Sequence, residues 1–299
     1  MTPRLFFLFL ISISTASAQT GLPADTNKML ANGEKSGFWI ETLGMNKFQG
    51  WYLNGKKDGN WVLYHTGGAV ARVEHYKEGL RNGLTLQLDI HGNFSREEYF
   101  TRDTLDGVIR VYSDNNRLRE ETWYKMGKYH GERKICYKDG TVQEWSFYIN
   151  GKKDGPSKWY FSTGEILTIN LYKDGKLEGI QKSFYRSGKL QSEVMAVNNE
   201  YTGMYTEYYE SGKVKVQVKY VKGKKEGPYK EVAEDGKQIL VSGGYKNDKP
   251  HGPYEEFYNN GKPKARGKFV EGKKEGVWIY YDTEGKTEKE IFKGGESVK

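Results

Sequence analysis

Five histidines are the first residues to consider, because imidazole serves both metal binding and acid–base catalysis. His130 and His251 occupy equivalent places of a repeating sequence, about five repeats apart, which is too far for one metal ion. His65 and His75 are closer together, but no carboxylate at a ligand spacing supplies a third ligand. His91 stands alone. We therefore expect neither a metal site nor a bound cofactor.

Adjacent glutamates are the second candidates for chemistry. They occur as Glu97-Glu98, Glu120-Glu121 and Glu255-Glu256. Neighbouring residues of a β-strand point to opposite faces, so the two carboxylates of each pair should diverge rather than act together on a substrate. The sequence has no phosphate-binding glycine motif and no serine-nucleophile motif. We therefore expect a protein that is not an enzyme.

Paired lysines are the third feature, and they lie between segments of β pattern. If these segments are turns, the pairs stack along one edge as a basic ridge that suits an anionic lipid or glycan. An acidic residue follows each pair and offsets the charge, so solvated turns are the competing interpretation. The net charge of +8 does not demand a nucleic-acid partner, and none is expected. The pairs are Lys56 and Lys57, Lys152 and Lys153, Lys224 and Lys225, and Lys273 and Lys274.

A repeating glycine organises these residues. The first glycine of each repeat, here called the phase glycine, recurs with spacings of 22, then seven times 24, then 25 and 24 residues. A fixed period in this range indicates an array of small structural repeats. Positions are numbered below from the phase glycine, so that +5 is five residues after it and −2 is two before it. The phase glycines are Gly37, Gly59, Gly83, Gly107, Gly131, Gly155, Gly179, Gly203, Gly227, Gly252 and Gly276.

Each repeat has the pattern of one β-hairpin. In the repeat of Gly203, Met204–Tyr209 and Lys213–Val221 read as strands around the turn residues Glu210, Ser211 and Gly212. Position +9 is glycine in nearly every repeat, with Asn116 as the substitute, which indicates a left-handed backbone. A three-residue loop at +7 to +9 pairs +5 with +11, both of them apolar or aromatic rows. Eleven such hairpins give about 22 strands.

Aromatic and apolar rows at +5, +11 and +17 are expected to pack the sheet. If one face stays open, the same side chains would form a surface for peptide or glycan. The sequence does not separate the two uses. The candidate interaction surface combines the eight paired lysines with the +5 residues Tyr64, Tyr112, Tyr160, Phe184, Tyr208, Phe257 and Tyr281.

The N-terminus has the pattern of a secretory signal peptide. Arg4 is followed by the short apolar run Leu5–Ile13 and by the small-residue cleavage signal that ends at Ala18, before Gln19. The apolar run is too short for a comfortable membrane span. We expect export and cleavage after Ala18, with the mature chain periplasmic, at the cell surface or secreted.

Segments such as YYESGKVKVQVKYVKGKKEGPY and FYNNGKPKARGKFVEGKKEGVWIYY resemble the MORN repeat variant of many bacterial proteins. The resemblance covers roughly residues 32–295. It implies an elongated antiparallel sheet of hairpins and roles in protein scaffolding, dimerisation and phospholipid contact. Some members of the family carry an antitoxin label, which would suit an inhibitor whose toxin is exported as well.

The sequence thus predicts an all-β protein, an elongated single-layer antiparallel sheet of about eleven tandem 24-residue hairpin repeats. The predicted segments are a signal peptide at 1–18, an N-terminal cap at 19–36, the array at 37–295 and a tail at 296–299. The expected function is an exported, non-catalytic scaffold that binds another protein. Two alternatives stay open: an antitoxin-like inhibitor, and an envelope binder of lipid or glycan through a basic edge. The oligomeric state is not predicted.

Overall fold

The computed structural model describes residues 22–298 of the chain. They form two compact units, residues 22–92 and residues 93–298. Apart from a three-residue 3-10 turn, Asp114–Asn116, the regular structure of the described residues is entirely β. No helix in this part of the chain is long and apolar enough to span a membrane. The predicted signal peptide and its cleavage site lie outside the described residues.

The unit of residues 22–92 is a run of antiparallel strands. Each strand pairs with the next one along the chain. The short first strand lies where the sequence predicts an N-terminal cap, and its Lys28 lies opposite Ser36. The strands are β1 (Lys28–Met29), β2 (Lys35–Leu43), β3 (Asn46–Leu53), β4 (Lys56–Tyr64), β5 (Val70–Lys77) and β6 (Leu80–Leu88).

The unit of residues 93–298 continues the same hairpin pattern. Its strands are β7 (Phe94–Thr101), β8 (Thr104–Leu105), β9 (Gly107–Ser113), β10 (Arg117–Lys125), β11 (Lys128–Cys136), β12 (Val142–Ile149), β13 (Lys152–Tyr160), β14 (Ile166–Lys173), β15 (Lys176–Leu177), β16 (Gly179–Phe184), β17 (Leu190–Val197), β18 (Glu200–Tyr208), β19 (Val214–Val221), β20 (Lys224–Val232), β21 (Ile239–Lys246), β22 (Lys249–Pro250), β23 (Gly252–Phe257), β24 (Pro263–Val270), β25 (Lys273–Tyr281), β26 (Thr287–Lys293) and β27 (Glu296–Ser297).

The pairing of these strands is antiparallel throughout the described residues, which confirms the predicted all-β class of tandem hairpins. The 27 described strands exceed the expected 22 because five are two-residue pieces. Three of these pieces, β8, β15 and β22, are cut from the following strand by one residue just before a phase glycine.

The first turn of the repeats has the predicted geometry. In the repeat of Gly203, Tyr208 pairs with Val214, which are the +5 and +11 positions. The amide of Tyr209 donates to the carbonyl of Lys213 over 2.8 Å, and the amide of Gly212 donates to the carbonyl of Tyr209 over 2.8 Å. Gly212 has φ of 84°, and Asn116 takes the same region with φ of 58°. The three-residue loop with a left-handed +9 residue is therefore confirmed.

The second turn is tighter than the sequence indicates. Asn150 and Gly151 alone form a turn in which both residues have positive φ, as a type I′ hairpin requires. The lysines that follow, Lys152 and Lys153, already belong to β13. The expectation that the lysine pairs sit in turns is therefore wrong.

Two irregularities set which way the side chains face. In most repeats one extra residue stands beside the +5 position, for example Lys264, which lies between the pairs Phe257–Pro263 and Glu256–Ala265. The hairpins of Gly37 and Gly276 pair without it. The phase glycine has positive φ and marks a second shift of register. As a result +2 pairs with +15, and the phase glycine pairs with +17.

The two unequal spacings have local causes. The 22-residue repeat has a two-residue loop between Leu43 and Asn46 in place of the three-residue loop, and its strands pair without the extra residue beside +5, so it is two residues shorter. In the 25-residue repeat the amide of Ala233 donates to Gln238, so that its first turn holds the additional residue. The additional residue of the 25-residue repeat lies in a turn, where an insertion leaves the strand pairing intact.

Two tryptophans at +2 are the largest fully buried side chains among the described residues, namely Trp61 and Trp278. Each lies directly over a glycine of the preceding strand. A Cβ atom on Gly50 would stand 2.4 Å from the Trp61 ring, and one on Gly267 would stand 2.2 Å from the Trp278 ring. The glycines are thus required by close packing, since no Cβ fits at these distances.

Candidate binding site

The two faces of the sheet carry different rows. We call the face with positions −2, +2, +4, +15 and +17 the aromatic–lysine face, and the face with +5 the opposite face. Tyr205 at +2 and Tyr220 at +17 contact each other edge to face with ring centroids 6.4 Å apart. Tyr208 at +5 instead donates a hydrogen bond to Glu193 over 2.9 Å on the other side of the strand. The +5 and +17 rows, which the sequence predicts to pack the sheet together, therefore lie on opposite faces of it.

The predicted +5 residues are all half-buried on the opposite face. Several of their hydroxyls are already bonded within the sheet. Gln49 donates to Tyr64 over 2.8 Å, and Tyr112 donates to Glu97 over 2.9 Å. Burial, reinforced by this bond to Glu97, raises the pKa of the Tyr112 hydroxyl. Tyr160, Phe184, Phe257 and Tyr281 occupy the same row.

The lysine pairs divide between two environments. The first member of each pair is exposed, and the second is half-buried on the aromatic–lysine face. The Lys57 ammonium lies 4.1 Å from the ring centroid of Phe48, 4.2 Å from that of Trp61 and 5.3 Å from that of Tyr76. The exposed members are Lys56, Lys152, Lys224 and Lys273, and the half-buried members are Lys57, Lys153, Lys225 and Lys274.

Because of this division, only half of the paired lysines can contribute to the basic ridge that the sequence suggests. Burial lowers the pKa of Lys57, because a desolvated ammonium is less stable than a hydrated one. The second lysine of each pair acts as a cation seated on aromatic rings, a contact worth about 0.5–2 kcal/mol according to its exposure. The side chains that the paired lysines present to solvent are thus the four first members.

The adjacent glutamates diverge as predicted. Arg110 donates to Glu121 over 2.8 Å and to Glu97 over 3.1 Å on the opposite face. On the aromatic–lysine face, Arg96 donates to Glu98 over 2.7 Å and Arg133 donates to Glu120 over 3.1 Å. These carboxylates are held by arginines rather than converging on a shared point.

The histidines occupy separate local contacts. His75 Nδ1 lies 2.8 Å from the amide oxygen of Asn60, and His65 Nε2 lies 3.2 Å from the carbonyl of Leu88. Within residues 22–298, no three histidine, cysteine or acidic side chains are grouped as metal ligands.

The +2 row is the part of the aromatic–lysine face that sequence reasoning missed. It includes Trp61, Ser157, Gln181 and Trp278, all buried, and three half-buried tyrosines. Its residue types vary too much to form an evident row. The row depends on the extra residue near +5, which brings +2 opposite +15 rather than +14 and is marked by no residue type in the sequence.

A cavity of about 220 Å³ opens on the aromatic–lysine face in the unit of residues 93–298. Gly243 and Gly244, which lie within β21, supply part of its wall. Pro250, Glu256 and Lys274 also line it. Its aromatic rings belong to Tyr229, Tyr245, Tyr254, Phe269, Trp278 and Tyr280.

The polar groups of the cavity are placed around its rings. Tyr254 donates to Glu256 over 3.3 Å, and Lys264 donates to the same carboxylate over 2.5 Å. Burial, followed by the charge of Glu256, raises the pKa of Tyr254 to about 12. Lys274 donates to Tyr280 over 2.7 Å. Trp278 Nε1 is buried and has no hydrogen-bond partner among the described residues. Aromatic walls with a few polar groups are typical of a ligand site.

These features define the chain as a tandem β-hairpin repeat protein with an aromatic cavity on one face. The family model of the MORN repeat variant matches four of its repeats, at residues 153–174, 177–198, 201–222 and 250–271. These four repeats are thus MORN-variant repeats, which confirms the resemblance in this part of the sequence.

The other comparisons are weak. No curated protein matches this chain. A solved structure titled "Crystal Structure of TcdB2-TccC3-Cdc42" is 12% identical with a TM-score of 0.20, and the match covers 88% of this chain and 15% of that one. The Tc holotoxin pore of Photorhabdus luminescens is 10% identical with a TM-score of 0.15, again over 88% and 15%. This chain thus spans a small part of those proteins, and the likeness carries no inference.

Proposed function

We propose that this protein is an exported, non-catalytic scaffold that binds another protein through the aromatic–lysine face of residues 93–298. The observation that carries the proposal is the cavity of about 220 Å³ with its six aromatic rings. Tyrosine and tryptophan dominate the binding energy of protein interfaces, since they bury large area with few rotatable bonds. The signal-peptide pattern that ends at Ala18 supports export.

The charged groups beside the cavity support binding rather than catalysis. Glu256 accepts hydrogen bonds from Tyr254 and Lys264, and Lys274 donates a hydrogen bond to Tyr280. Neither charged group is set against a nucleophile, and each has a fixed position at the edge of an apolar surface. Such groups orient a partner, whereas general acid–base catalysis needs a side chain within hydrogen-bond reach of the substrate proton that it transfers.

The test is site-specific photo-crosslinking of tagged protein in its native host. A photoreactive residue replaces Tyr245 in the cavity in one variant. A matched variant carries it at Val277, which is exposed beside Trp278 but points to the opposite face. We expect one dominant protein captured from Tyr245 and little from Val277. Equal capture from both positions would contradict the proposed face.

The same experiment separates the alternatives that the sequence leaves open. Capture of a toxin whose activity this protein blocks would identify the scaffold as an antitoxin-like inhibitor. Capture of lipid or glycan from both positions, prevented when the sample is irradiated at high salt, would instead favour binding through the exposed lysines such as Lys152 and contradict the protein scaffold.

A further inference from the structure

A lysine seated on aromatic rings recurs at position −2. Five repeats have lysine there, and each ammonium lies 4.2–5.3 Å from the centroid of at least one ring of its own repeat. The ring is usually the aromatic side chain at +2 or the one that pairs with the phase glycine. The five lysines are Lys35, Lys57, Lys153, Lys225 and Lys274.

The repeat of Gly37 adds a carboxylate to this arrangement. Lys35 lies over the rings of Trp39 and Tyr52, 4.7 and 5.1 Å from their centroids. Its ammonium donates to Glu41 at +4 over 2.5 Å. The chain thus contains its own example of a site for a primary ammonium, made of two rings and one carboxylate.

The repeat of Gly252 has all of these groups except the lysine. Tyr254 stands at +2, and Phe269 pairs with the phase glycine, with ring centroids 5.3 Å apart. Glu256 stands at +4, where Glu41 holds its lysine. Position −2 is Pro250, which has no cation, and the cavity of about 220 Å³ lies among these same residues.

We propose that this vacant position binds the primary ammonium of a lysine side chain from another protein. The ammonium lies over Tyr254 and Phe269 and donates to Glu256, as Lys35 does over its own rings. The identity of the ligand group rests on the chain's internal pattern. Only its source, a protein partner, rests on the proposed function.

The charges around the cavity permit this ligand. Lys274 lines the same cavity, but its ammonium is engaged by Tyr280 and by the ring of Trp278, 4.6 Å from its centroid. Lys264 donates a hydrogen bond to Glu256, so it must share that carboxylate with the incoming ammonium or release it. Consecutive repeats elsewhere carry cations at −2, as Lys35 and Lys57 show, so a neighbouring ammonium is compatible with the fold.

The test uses Nα-acetyl-lysine N-methylamide, with the norleucine analogue as the uncharged control. Binding is followed by NMR of the aromatic resonances of Tyr254 and Phe269 in the full chain. We expect saturable shifts in the millimolar range with the lysine compound only. Equal shifts with the norleucine compound, or no shift at about tenfold higher concentration, would overturn the proposal.

Three variants sharpen the test, after circular dichroism confirms that each one folds. Pro250→Lys should supply an internal ammonium and abolish binding, whereas its control Pro250→Ala should retain it. Glu256→Gln should weaken binding about tenfold, because a charge-assisted hydrogen bond is lost. Lys264→Ala should strengthen binding by freeing the carboxylate. Unchanged affinity in Pro250→Lys would overturn the proposal.

The binding experiment and the crosslinking experiment can each fail without the other, so they test the two proposals independently. Lysine binding without any captured protein would leave the ammonium site standing and remove the scaffold. Capture of a protein that is equally strong in Pro250→Lys and Pro250→Ala would leave the scaffold standing and overturn the lysine site.

Discussion

The region around Trp61 and the region around Trp278 are built alike and differ in how completely they are filled. In both, the tryptophan lies over a glycine and under the ammonium of a lysine, at 4.2 Å for Lys57 and 4.6 Å for Lys274. Trp61 also donates its Nε1–H to the carbonyl of Trp51 over 3.0 Å. Trp278 Nε1 makes no such bond within the described residues.

The repeats that precede the two tryptophans also differ, in the residue at position −2. Before Trp61, Lys35 occupies the −2 position and is bound by Glu41. Before Trp278, the same position is Pro250, and a cavity lies beside it. The hairpin pairing is retained in both regions. The hairpin therefore forms without a lysine at position −2, and the absence of this side chain leaves room for a ligand.

The largest expected effect comes from the glycines under the two tryptophans. Gly50→Ala and Gly267→Ala should each destabilise their own repeats by about 3 kcal/mol, because the added Cβ overlaps the indole ring. Hydrogen exchange resolves the loss repeat by repeat. The control is Gly67→Ala, where open space and ordinary φ predict little change. A loss at one tryptophan only would break the structural equivalence of the two regions.

A smaller effect is expected from the lysines above the tryptophans. Lys57→Ala and Lys274→Ala should each cost about 1–2 kcal/mol, through lost ring contact and lost packing of the aliphatic stem. Their exposed neighbours provide matched controls, since Lys56→Ala and Lys273→Ala should stay within about 0.5 kcal/mol. The measurement is urea unfolding followed by hydrogen exchange. Equal losses within each pair would contradict the division of the pairs.

The smallest effect is a difference in titration between Lys35 and Lys57. The hydrogen bond to Glu41 is the main factor that raises the pKa of Lys35 above 10.5, whereas burial lowers the pKa of Lys57 below that value. NMR of the lysine side chains should therefore show Lys57 losing its proton at the lower pH. The reverse order would show that Glu41 does not hold Lys35 in solution.

The effects on stability follow from these directions. Between the lowered pKa of Lys57 and 10.5 the unfolded chain binds more protons, so the contribution of this lysine to stability rises with pH. The contribution of Lys35 is complete below 10.5 and is lost as the pH rises through its raised pKa. The variants Lys57→Met and Lys35→Met should each remove one of these opposite slopes from stability measured between pH 9 and about 12.

Much of the fold follows from short-range features of the sequence. The glycine spacing predicts the repeats, and the apolar pair at +5 and +11 with Gly212 at +9 predicts the loop. These features are local, because a turn conformation depends on a few neighbouring residues.

The face of the sheet to which each side chain points could not be predicted in the same way. The extra residue beside +5, such as Lys264, exchanges the faces of the following positions and is not marked by any residue type. The paired lysines are wrongly predicted in turns for a different reason, since the turn before them holds only two residues, such as Asn150 and Gly151. The cavity could not be predicted from the sequence either, since it combines Gly243, Pro250 and Trp278 from three different repeats.

The most direct test of the account is an experimental structure of the Pro250→Lys variant. The account predicts that the introduced ammonium lies over Tyr254 and Phe269 at the 4.2–5.3 Å found for the five native lysines, within hydrogen-bond distance of Glu256. An ammonium that extends into solvent, with the cavity still open, would contradict the claim that this position is a vacant lysine site.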